Sequence, residues 1–184
     1  MGGFFGAVSR KNCKYDVFFG TDYHSHLGTK RGGLALYTPE KGFQRQIHNI
    51  ENTPFRTKFE SDLKKLDGTV GIGCISDTDP QPLLVRSHLG MFAISTVGII
   101  NNAEALVEQT FTGPGHQFMA MSSGKVNPTE LTAALINQKD NLVDGIRHAQ
   151  EVIDGSCTIL LLMPGCIIAA RDRQKSVSPV PQRC

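Results

Sequence analysis

No stretch of the 184-residue chain approaches ~18 consecutive apolar side chains, which excludes a membrane-spanning helix. The amino terminus has neither the charged leader nor the long apolar core of a secretion signal. Neither sign of charge predominates: 19 Lys and Arg stand against 17 Asp and Glu, a formal net charge of +2. That balance argues against a dedicated nucleic-acid binder, which concentrates basic residues on one face. The five cysteines have no tight spacing, so they read as cytoplasmic thiols and not as a disulfide framework. Tryptophan is absent, and there is no internal repeat or low-complexity stretch. What remains is glycine-rich (19 residues), 40% hydrophobic and 20% charged. The length suits one globular domain that buries roughly 70% of the surface of its unfolded chain.

Periodicity places a short strand at residues 4–9 and a helix at 14–27, with Gly28 as its C-cap. Residues 34–37 and 43–48 read as a hairpin across Thr38-Pro39-Glu40-Lys41-Gly42. Thr53-Pro54 opens a helix whose apolar stripe is Phe55, Phe59, Leu63 and Leu66, ended by Gly68. Strand-like runs follow at 70–75, 83–86 and 91–100, then a helix at 102–111. Asn127 caps a further helix, another covers 142–153, and two apolar strands at 157–163 and 166–170 flank Pro164-Gly165. Hairpin-like pairs outnumber β-α-β spacings. The expectation is an α+β domain of largely antiparallel sheets with helices on their outer faces.

Certain segments carry more than secondary structure. They are Met1-Gly2-Gly3-Phe4-Phe5-Gly6, Lys30-Arg31-Gly32-Gly33, Gly71-Ile72-Gly73 with Gln81-Pro82, and Val97-Gly98-Ile99-Ile100-Asn101-Asn102. Thr129-Glu130-Leu131, Gly155-Ser156-Cys157 and Ala169-Ala170-Arg171-Asp172-Arg173 complete the set. In order and spacing these resemble the class II glutamine amidotransferase domain, the amino-terminal half of the amidophosphoribosyltransferases of purine biosynthesis. The resemblance implies an N-terminal-nucleophile hydrolase fold, a four-layer α-β-β-α sandwich of two antiparallel sheets. It also implies a reaction in which a terminal cysteine attacks the side-chain amide of glutamine, with its own amino group as base. Ammonia then passes to a phosphoribosyltransferase domain or subunit, the expected partner together with further copies of the same chain. No cofactor is implied, and neither nucleic acid nor membrane is an expected partner.

Glutamine hydrolysis needs a nucleophile, an oxyanion hole and anchors for the substrate's carboxylate and amino group. The resemblance sets Gly2 at the nucleophile position. Val97-Gly98 stands at the oxyanion pair, where Gly98 keeps a backbone donor but the side-chain donor is lost. Such a loss costs roughly 10²–10³ in rate in a working enzyme. Ser76 aligns with the carboxylate clamp and Pro128 with the residue that holds the ammonium group. Arg31, Gly32 and Asn102 are further family-equivalent substrate positions. The resulting expectation is an amidotransferase-like domain over residues 1–173, without glutaminase activity and with a regulatory or assembly role, followed by a mobile tail at 174–184. The alternative is an active glutaminase with a relocated nucleophile, for which Cys13 is the candidate.

Other constellations are weaker. His24 and His26 point about 200° apart on a helix and lack a third ligand, so no metal site is expected. Lys30 and Arg31 beside glycines read either as an anion subsite or as a solvated turn. Asp77-Thr78-Asp79 reads as a turn. Cys74, Cys157 and Cys166 fall in apolar strand patterns as core thiols, and an iron–sulfur cluster is not expected. Met119 and Met121 read as filler in a strand.

Overall fold

The computed structural model describes residues 2–28, 30–111, 121–122 and 125–172. Two four-stranded antiparallel sheets carry the architecture. The first has the order β1 (Gly2–Val8), β4 (Val70–Ser76), β2 (Arg31–Thr38), β3 (Gly42–Asn49). The second has the order β10 (Cys166–Ala170), β9 (Gly155–Met163), β6 (Gly90–Ile100), β5 (Leu83–Ser87). A two-stranded ribbon joins β7 (Met121–Ser122) to β8 (Lys125–Val126). The helices are α1 (Lys14–Tyr23), α2 (Phe55–Phe59), α3 (Ala103–Phe111), α4 (Pro128–Ile136) and α5 (Leu142–Val152).

Side-chain alternation along the strands sorts the core into three layers. Ala35, Val70, Ile72, Ala93, Leu160 and Leu162 fill the space between the sheets. Val17, Phe18, Leu34, Phe55, Phe59 and Ile75 pack α1 and α2 onto the outer face of the first sheet. Ile94, Leu106, Leu131, Ile146, Ile159 and Leu161 pack α3, α4 and α5 onto the outer face of the second. The result is the expected α-β-β-α sandwich.

Glycines set how closely α1 lies on its sheet. A Cβ on Gly73 would stand 1.9 Å from the Thr21 hydroxyl, so this helix rests directly on β4. From the helix side, Gly20 takes the ring of Phe5, which a Cβ there would meet at 2.4 Å.

Two helix expectations are corrected. The helix expected over 14–27 ends at Tyr23, because His24 adopts φ −89°, ψ 2° and its N–H returns to Thr21 O at 3.0 Å. A single 3₁₀ turn, Ser25–Leu27, follows, and Gly28 is extended (φ −160°) instead of a left-handed C-cap. The second helix divides into α2 and a 3₁₀ turn, Asp62–Lys64, although Phe55, Phe59, Leu63 and Leu66 are all buried as the stripe requires. At that break the Asp62 carboxylate turns to His48 Nε2 at 2.5 Å. The hairpins, the strands from 70 to 100 and the Asn127 cap stand where periodicity places them. Asn127 Oδ1 accepts from Thr129 N at 2.8 Å and Glu130 N at 3.3 Å. Met121 lies in β7, whereas Met119 and the tail at 174–184 lie outside the described residues.

Candidate functional site

Strand register brings several of the expected site positions to one end of the sandwich. Gly2 pairs with Ser76, and Ser76 pairs in turn with Arg31, so three adjacent strands contribute one residue each. From the other sheet Val97 closes on this group: its Cγ2 would lie 3.6 Å from a Cβ on Gly2. That same Cβ would stand only 2.6 Å from Ile75 O. The strand therefore presses on the place where a side chain at position 2 would begin.

Ser76 is 6% exposed, and its hydroxyl is engaged in a turn, accepting from Thr78 N at 3.1 Å. This turn leads into a small cavity lined by Thr78, Asp79, Gln81, Thr96, Gly98, Ile100, Pro128, Thr129, Ser156 and Cys157. Gly98 and Pro128 thus meet across it. The centre of a water molecule can move through about 40 Å³, room for roughly three water-sized positions.

Backbone geometry at Gly98 is specific. Its φ of +157° suits glycine, and a Cβ there would stand 1.9 Å from Ser156 O. Gly98 pairs with Cys157 in the β6–β9 ladder, and the next amide, Ile99 N, donates to Ser156 Oγ at 3.3 Å. The cavity wall is held by buried polar contacts. Thr96 Oγ1 lies 2.6 Å from Thr129 Oγ1, and Thr96 N donates to Gln81 Oε1 at 2.7 Å. Gln81 is brought in by a close approach, since a Cβ on Gly33 would stand 1.7 Å from Gln81 O. Cys157 N donates to Asp172 Oδ2 at 2.7 Å.

Chemically the lining offers hydroxyls, one carboxylate, one carboxamide and one thiol, with no Lys or Arg among the described residues. Burial pushes the Cys157 thiol up to about 11, so it is protonated at neutral pH and a poor nucleophile. Such a surface hydrogen-bonds a small polar guest but presents no cation to a carboxylate.

Other expected positions diverge. Gly32 faces the opposite side of its sheet, where a Cβ would meet Phe55 Cδ2 at 2.7 Å. Asn102 clasps the chain after α5, donating to Val152 O at 2.8 Å and accepting from Asp154 N at 2.9 Å. Arg31 contacts the neighbouring Lys30 O at 3.4 Å and does not line the cavity. Cys13, the candidate relocated nucleophile, is fully buried against α1 with its thiol toward Ala7 O at 3.8 Å. Burial also raises its pKa.

Of the three strand cysteines, Cys74 and Cys157 are buried while Cys166 is half-exposed. Burial pushes Cys74 up to about 12. His24 and His26 flank the exposed Tyr23 ring, and among the described residues no three His, Cys, Asp or Glu side chains come together as a metal site. Among the same residues no helix is long and apolar enough to cross a membrane. Sequence reasoning missed the cavity's hydroxyl wall. Thr96 and Thr129 sit within two residues of Gly98 and Pro128, which is the signal that would have found them.

No family model matches the chain, and no curated protein matches it. Solved structures do match. One is the glutamine phosphoribosylpyrophosphate amidotransferase of B. subtilis in complex with ADP and GMP, at a TM-score of 0.77 and 23% identity. Another is an allosteric regulatory enzyme of purine biosynthesis, at a TM-score of 0.78 and 23% identity. Each comparison covers 94% of this chain but 37% of the other, so the chain spans little more than a third of their length. At this identity the likeness establishes a shared fold.

Proposed function

We propose that the chain is a glutamine amidotransferase-like domain of an amidophosphoribosyltransferase-type protein that does not hydrolyse glutamine and serves a regulatory or assembly role. The fold likeness supports the first half of this reading. The observation that carries the second is at Gly2. The position that a nucleophile would occupy has no side chain, and a Cβ there would stand 2.6 Å from Ile75 O. Around it the anchors that an amino acid needs are replaced: Ser76 is engaged with Thr78 N, and Pro128 carries no charge. The cavity beyond is lined by no Lys or Arg among the described residues, so it offers no cation to the α-carboxylate of glutamine. A phosphoribosyltransferase domain or subunit is the partner this reading assigns, in keeping with the 37% coverage of the matching structures.

Ammonia release from glutamine by the purified chain, its amino terminus fixed by mass spectrometry, tests the proposal. The expected rate is that of the buffer, for the chain itself and for Gly2→Cys alike, since the anchors remain absent in both. Release above background that Cys13→Ala or Cys157→Ala abolishes would overturn it in favour of a relocated nucleophile.

A further inference from the structure

We draw no further inference here: the strongest candidate, the exposed aromatic stripe of Tyr15, Phe19 and Tyr23 along α1, is a helix face for which nothing in the structure shows what covers it.

Discussion

Gly98 lies so close to Ser156 that a Cβ on it would stand 1.9 Å from the Ser156 carbonyl oxygen, at a φ of +157°. The nearest atoms, Ser156 O and C and Cys157 Cα, are all ladder backbone, so a side chain cannot be accommodated by a rotamer change. Gly98→Ala is expected to cost about 2–4 kcal/mol, through backbone strain and a broken β6–β9 ladder. Urea unfolding measures it; a loss below about 0.5 kcal/mol, the ordinary scale of a surface substitution, would contradict the geometry.

The Thr96–Thr129 hydroxyl pair ties β6 to the first turn of α4 within the cavity wall. Thr129→Val removes one partner and leaves the other buried and unsatisfied, at about 1–3 kcal/mol. Thr96→Val/Thr129→Val removes both, so the double variant should cost less than the sum of the singles. A strictly additive cycle would show that the two hydroxyls are not coupled.

Thiol chemistry should follow burial. With Cys74 held near 12 and Cys157 near 11, native alkylation of either at pH 8 should be slower than in the unfolded chain by roughly two orders of magnitude or more. Both shifts are upward, so the associated stability is complete below the unfolded thiol pKa, roughly 8.5, and falls as pH rises toward the folded values. Peptide mapping after timed iodoacetamide treatment reads each site separately. Rapid native labelling of Cys157 would show the cavity to be open.

Asp67 provides the opposite sign. Hydrogen bonds from Lys41, Asn12 and Lys14 hold its carboxyl at about 2. A depressed carboxylate contributes stability above its unfolded pKa of roughly 3.9, and that contribution is lost as pH falls through the folded value. Between pH 4 and 2, Asp67→Asn should therefore lose less stability on acidification than the parent. A carboxyl titration midpoint near 4 by NMR would refute the cluster's effect.

The layers were legible because the signals are local. Phe55, Phe59, Leu63 and Leu66 recur at helical spacing and are buried as that spacing demands, although the backbone between them breaks at Asp62. Breaks of this kind depend on tertiary partners, such as His48, that no window of sequence contains. The site was legible by position and less so by direction. Arg31 and Gly32 are consecutive in β2 and so belong to opposite faces, Arg31 on the face of its ladder partner Ser76 and Gly32 under Phe55. Asp77-Thr78-Asp79 reads as a turn, yet Asp79 is only 3% exposed and Thr78 lines the cavity, beside Gln81, whose carbonyl closes on Gly33 from a distant part of the sequence.

Strand β4 is buried over all of Val70–Ser76, with β1 on one side, β2 on the other and α1 resting on Gly73. Solvent can reach its amides only after β1, α1 or β2 has left, and each of these removes a core layer. Among the described residues, the amides of β4 are therefore expected to exchange only through opening of the whole domain, and their rates would give its free energy.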